Sequence, residues 1–174
     1  HVTDRRQRQM CIRDRLLTAL KGGVPNEKIV FHGNNKSDKE IEFAVRNNIK
    51  IIVDNDYDLE RLEELSNSLN SDLEIMIRFT PGIECHTHEY IRTGSFDSKF
   101  GFGIEFLNNV FSRISKTNHL KLTGLHAHIG SQIFELDPHN DLGEIMVKVI
   151  LDAKKYGHDI KKLNVGGGLG LSLI

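Results

Sequence analysis

The chain has 174 residues, 39% hydrophobic and 27% charged, with a formal net charge of −1, the balance of an ordinary globular domain. A near-neutral chain offers no basic face for nucleic acid, and no uninterrupted apolar run reaches the roughly 20 residues that a membrane-spanning helix needs. Two cysteines, Cys11 and Cys85, cannot build a disulfide scaffold, and no apolar signal segment opens the chain, so it reads as a cytoplasmic, reduced protein.

The first fifteen residues, "HVTDRRQRQMCIRDR", hold five arginines and no hydrophobic periodicity. Residues 1–15 are therefore expected to be a non-native or disordered tail. Pieces such as "RQMCIRDR", and "LSLI" at residues 171–174, resemble translated sequencing-adaptor DNA, and the body of the fold is assigned to residues 16–170. Leu16 to Lys21 looks like the end of a helix, closed by Gly22-Gly23 with Pro25 as a stop. Short β-rich runs follow at Lys28–His32, Ile49–Val53, Leu73–Phe79, Leu120–His128 and Ile160–Val165. Between them, Asp38–Arg46, Asp58–Leu69, Ile104–Ser115 and Leu142–Tyr156 place apolar residues three and four apart, as in Leu59, Leu62, Leu65 and Leu69. Ser37, three residues before Glu40, predicts a capping box for the first of these helices.

Strand and helix alternate four times and close on a fifth strand, which means parallel βαβ units. Two architectures fit, a doubly wound sheet or part of a (β/α)8 TIM barrel. The polar groups favour the barrel. Nearly every strand ends in something polar or glycine, as in "FHGNNKS", "VDND", "RFTPG", "HAHIGSQ" and "NVGGGLG", and a barrel gathers all its strand ends on one functional face. A complete barrel needs eight strands and about 250 residues. With about five strands, the chain is expected to be an incomplete piece with sticky edges.

In "TGLHAHIGSQ" the strand pattern puts His126 and His128 on one face. After the last strand, Gly166, Gly167 and Gly168 can turn backbone N–H groups toward an anion with no Cβ in the way. A phosphate cradle and a plain loop both fit that run. Ser131, just past Gly130, can donate to the same phosphate, and His128 lies deeper, where an imidazole can stack on a flat heteroaromatic ring. Cys85, His86 and His88, with the histidine pair, hold enough ligand atoms for zinc. They lack the two-cluster spacing of structural zinc sites, so no metal is assigned.

Together "IVFHGNNKSDKEIEFAV", "IIVDNDYDLERLEEL", "IRFTPGIECHTHEYIRTGSFDSKFGF", "GLHAHIGSQI" and "LNVGGGLG" resemble the bacterial diaminopimelate decarboxylases. That family lies in the fold-type III, alanine-racemase-like class of pyridoxal-phosphate barrels. The similarity runs from about Leu16 to Gly170. The stretches "HGNNKS", "THEYIRTG" and "SKFG" point to this branch rather than to the ornithine and arginine decarboxylases, which share the histidine strand and the glycine loop.

The resemblance implies an alanine-racemase-like N-terminal barrel domain and pyridoxal 5'-phosphate as cofactor. The parent enzyme would be a carboxy-lyase converting meso-2,6-diaminopimelate to L-lysine and carbon dioxide. It implies that His128 stacks on the pyridine ring, that Ser131 hydrogen-bonds the phosphate, and that Gly166, Gly167 and Gly168 wrap it. It implies a homodimer for the full-length parent, with Lys99 either near the subunit interface or a solvated loop lysine. Asn34, Asn35 and Lys36 either line the site or cap the helix that follows. The family's Schiff-base lysine falls upstream of the matching segment, and its downstream acid and C-terminal β-domain are also missing. The piece itself is therefore expected to be inactive. The alternatives are a sister decarboxylase for carboxynorspermidine, ornithine or arginine, or a non-catalytic pyridoxal-phosphate-binding barrel.

Overall fold

A computed structural model describes residues 12–83 and 100–170. Its elements in chain order are α1 (Ile12–Lys21), β1 (Val30–Phe31), α2 (Asp38–Arg46), β2 (Lys50–Val53), α3 (Asp56–Leu69), β3 (Leu73–Thr80), β4 (Phe102–Gly103), α4 (Leu107–Ile114), β5 (Leu120–His126), α5 (Asp137–Lys155) and β6 (Lys162–Asn164). The sheet runs β1-β2-β3-β5-β6 with every pair parallel, and β4 is a short spur on β3. Strand order follows chain order without reversal. A doubly wound sheet reverses at a switch point, so the fold is the expected half of a (β/α) barrel.

Local chemistry sets the helix starts. Ser37 N–H donates to Glu40 Oε2 at 2.8 Å, giving α2 its predicted first turn. α3 begins at Asp56, two residues before the expected Asp58, because the Asn55 side chain accepts the Asp58 N–H at 2.9 Å. α5 begins at Asp137, five residues before the expected Leu142, with Pro138 in its first turn. Proline is tolerated there because the N–H it lacks has no partner inside the helix. α1 begins at Ile12, inside the stretch assigned to the tail. Lys28 belongs to a 3₁₀ turn at Asn26–Lys28, not to β1.

The outer face of the sheet packs on the helices. Phe31, Ile51, Val53, Ile75, Ile77, Phe79, Leu122 and Leu125 join Ile41, Leu59, Leu62, Phe111, Met146 and Val149 in one buried cluster. Each such Leu or Ile contributes about 2 kcal/mol by leaving water.

The inner face has a different composition. Lys50, Ile52, Glu74, Met76, Arg78, Gly124, His126, Lys162 and Asn164 alternate with the helix-facing residues along their strands. At its N-terminal end Glu74 reaches Lys50 at 3.2 Å and Lys162 at 3.8 Å. In the middle, Ile52 and Met76 are buried but stand apart from the helix-facing cluster. A Cβ on Gly124 would lie 2.7 Å from Met76 Cγ, so glycine there makes room for the methionine.

One irregularity decides which side chains of β5 reach this face. Ile75 pairs with Leu122 but Met76 pairs with Gly124, so Thr123 is an extra residue, a β-bulge. Leu120 and Leu122 face the helices below it, and Leu125 above it. Without the bulge, strict alternation would turn His126 outward.

Candidate functional site

The C-terminal ends of four strands bring a set of polar side chains together. Arg78 on β3 donates from Nη1 to Asp54 Oδ1 at 3.0 Å and stands 3.4 Å from His32 Nε2. Its guanidinium lies over the Phe100 ring, 4.9 Å from the centroid. The His32 and His126 rings meet edge to face at 4.7 Å. Asp54, Arg78 and His126 are all buried.

Burial acts on these groups in opposite directions. It would raise the Asp54 carboxyl, but His32 and the Arg78 guanidinium outweigh it and hold the group below its usual range. His126 is driven down to about 4, first by burial and then by the charges of His32 and Arg78, against the hydrogen bond to Asn164. His128 is lowered by burial, Arg78 and His32 in turn. His126 and His128 are therefore both neutral at pH 7. Asp54 Oδ2 finds no hydrogen-bond partner among the described residues.

Lys36 lies beside this set and does not cap the helix that follows, which Ser37 and Glu40 do. It is buried and paired with Asp58 Oδ2, which also accepts the Asp54 N–H at 2.9 Å. That pair ties the loop after β1 to the start of α3. Burial raises the Asp58 carboxyl, and Lys36 opposes the rise.

The predicted site residues collect above the polar set. β5 ends at His126, so His128 lies in the loop beyond the strand and not on it. There it meets the glycine run. A Cβ on Gly166 would lie 2.6 Å from His128 Nδ1, and one on Gly168 would lie 2.0 Å from the Gly130 oxygen. Gly166 and Gly168 have φ of 74° and 108°, a region costly for residues with a Cβ. Nothing lies within 4 Å of a Cβ built on Gly167. The two loops are clipped together where Ile133 N–H donates to Gly168 O and Gly170 N–H to Ile133 O, both at 2.8 Å. Ser131 is exposed in the first of these loops.

The glycines are thus not equivalent. Gly166 N–H is taken by its own chain, donating to Asn164 Oδ1 at 2.9 Å. The N–H groups of Gly167 and Gly168 meet no acceptor among the described residues. Cys85, His86, His88 and Lys99 lie outside the described residues. Among those described, no three His, Cys, Asp or Glu side chains gather as a metal site.

Sequence reading missed Asp54, Arg78, His32 and Asn164. The available signal was a lone arginine inside the apolar strand "LEIMIRFT" and an aspartate closing "KIIVD". A charge in a strand otherwise buried on both faces needs a partner, but only the register names it.

Residues 13–173 match the family model described as pyridoxal-dependent decarboxylase, pyridoxal binding domain. The chain is 54% identical over 145 residues to a diaminopimelate decarboxylase of a Synechocystis species, covering 83% of this chain and 31% of that protein. It is 40% identical over 160 residues to the diaminopimelate decarboxylase of Bacillus subtilis, covering 90% of this chain and 36% of that one. The crystal structure of diaminopimelate decarboxylase from Helicobacter pylori complexed with L-lysine superposes with a TM-score of 0.85 at 35% identity, over 92% of this chain and 41% of that chain. The chain therefore spans about a third of the length of these curated relatives.

Proposed function

Because the chain belongs to the pyridoxal-dependent decarboxylases, through their pyridoxal-binding domain, we propose that it is the cofactor-holding half-barrel of a diaminopimelate decarboxylase. In that reading, the full-length protein releases carbon dioxide from meso-2,6-diaminopimelate to give L-lysine. One observation carries the proposal. His128 and the glycine run form a single cradle that exists only because Gly166 and Gly168 have no Cβ.

The cradle fits pyridoxal 5'-phosphate. The N–H groups of Gly167 and Gly168, which meet no acceptor among the described residues, would donate to the phosphate, and the exposed Ser131 hydroxyl would add a donor from the facing loop. Gly166 contributes by leaving room for His128, since its own N–H is already taken. His128 is neutral at pH 7, as suits a ring stacked on a pyridine that carries its own charge. Arg78, fixed by Asp54 and by Phe100, forms with that carboxylate a charge-balanced pair in the floor of the site beneath the two neutral histidines.

When bound, the cofactor supplies an electron sink for the bond to the departing carboxylate. The residues of this chain bind and orient it. Lys36, the buried lysine nearest the site, is held by Asp58, while Lys21 lies in α1 and Lys28 in a 3₁₀ turn before β1. Residues 1–174 alone are therefore expected to bind pyridoxal phosphate weakly, in competition with inorganic phosphate, and to release no carbon dioxide from meso-diaminopimelate. Equilibrium dialysis with and without phosphate, and radiolabelled carbon dioxide capture, test the two halves. Binding that phosphate does not compete would overturn the cradle, and turnover would overturn the inactivity. For the full-length protein a homodimer is the form the family resemblance implies, checked by sedimentation.

A further inference from the structure

His126 does something distinct from its neighbour two residues on. Its Nδ1 lies 2.9 Å from the backbone oxygen of Asn164. A carbonyl oxygen can only accept, so Nδ1 carries the proton of the neutral ring. The same oxygen accepts the Ala127 N–H at 3.0 Å. Asn164 in turn accepts the Gly166 N–H on its side-chain oxygen at 2.9 Å. A continuous path therefore runs from the His126 ring through Asn164 to the first residue of the glycine run.

The geometry points to His126 as a positioning residue that sets the height of the glycine loop through Asn164, and with it the donors of Gly167 and Gly168. β6 is a three-residue strand at the sheet edge with all its residues exposed. Its upper end is held at the Asn164 oxygen, by the Ala127 N–H and by the His126 ring. Beyond Asn164 the chain is next held where Gly168 and Gly170 clip onto Ile133. Val165, Gly166 and Gly167 bridge the two anchors. Drawing Asn164 down onto His126 fixes the lower anchor, while Ile133 fixes the upper one. His126 makes this contact only because the bulge at Thr123 turns it inward.

A ring that merely filled space would be replaced equally well by any side chain of its size. A tether through Nδ1 would not. Asparagine places an amide N–H where Nδ1 stands, whereas glutamine places it near Nε2. The proposal rests on the phosphate reading above only for the purpose of the loop, so the test separates the two. In isotope-labelled protein, Gly166 and Ala127 amide exchange should quicken about tenfold in His126→Gln and stay within about twofold of the original in His126→Asn. Titration with inorganic phosphate, followed on the Gly167 and Gly168 amides, should weaken about tenfold in the glutamine variant alone. Equal effects of the two variants would overturn the tether. Unmoved amides on adding phosphate to the unaltered chain, with the exchange difference intact, would keep the tether and sink the phosphate reading. Should the glutamine variant fail to fold, nitrogen-15 histidine spectra of the unaltered chain decide the matter. A proton on Nδ1 of His126 supports the tether, and one on Nε2 alone overturns it.

Discussion

The inner face of the half-barrel carries a pair of opposite charges at each end, and the two ends behave differently. At the N-terminal end Lys50 meets Glu74 at 3.2 Å, with the side chains 9% and 55% exposed, so that the carboxylate is wet although the lysine is buried. At the C-terminal end Arg78 meets Asp54 at 3.0 Å, with the side chains 9% and 1% exposed. The distances are alike, but the solvent is not. A pair with one wet partner is screened and contributes little, while a pair dry on both sides cannot lose a partner without leaving a buried charge. One end of the barrel is therefore tolerant and the other is fixed.

The largest break in that contrast is Asp54→Ala, which strands the Arg78 guanidinium. Destabilisation of about 3–5 kcal/mol is expected in urea unfolding, and Asp54→Asn should cost less because its oxygen still accepts from Arg78. A loss below about 1 kcal/mol for the alanine variant would mean that the upper end is as wet as the lower.

Acid gives the next largest effect. The His126 pKa is about 4 in the folded chain, below its ordinary value of about 6.5. Between these the unfolded chain binds the proton and the folded one resists it, so the contribution is whole above pH 6.5 and is lost as pH falls toward 4. The loss reaches about 2 kcal/mol once residual solvent contact with the ring is allowed for. His126→Asn, which does not titrate, should flatten the part of the stability profile between pH 6.5 and 4.5, and an unchanged slope would assign it elsewhere.

In the loops above the upper end, Gly168→Ala forces a Cβ against the Gly130 oxygen at φ 108° and should cost about 2 kcal/mol. Gly167→Ala, in open space, should change stability by less than about 0.5 kcal/mol. The smallest effect belongs to the lower end, where Glu74→Gln should stay within about 1 kcal/mol. A larger loss there would erase the difference between the two ends.

Much of this was legible in the residues, and what was not has a common cause. The α2 helix and its Ser37–Glu40 start are local, and the helix spans the predicted Asp38–Arg46. The five principal strands and their unreversed order followed from alternating periodicity and polar strand ends. β4 has two residues, too few for any period to show. The early start of α5 was hidden by the polar run before Leu142, where only Pro138 marks a first turn. In the site, the glycine run and His128 could be read because both are sequence-local. The Asp54–Arg78 pair could not, since it joins residues 24 apart through a register that no single strand contains. The parity of β5 was readable in principle. Leu120 and Leu122 share one phase and Leu125 and Ala127 the other, but reading a single unbroken strand to His128 passed over the change between them.

That change of phase also governs what kind of sequence variation the strand can absorb. Exchanging side chains leaves the phase as it is, and removing Thr123 would also keep it, since Leu122, Gly124, Leu125 and His126 would then alternate strictly with Leu125 on the helices and His126 at the site. Removing Gly124 as well would turn the upper strand over, presenting Leu125 to the site and His126 to the helices. Thr123 is thus a surplus residue, which drift could exchange or drop without turning His126 from the site, whereas the count of residues beyond it is fixed.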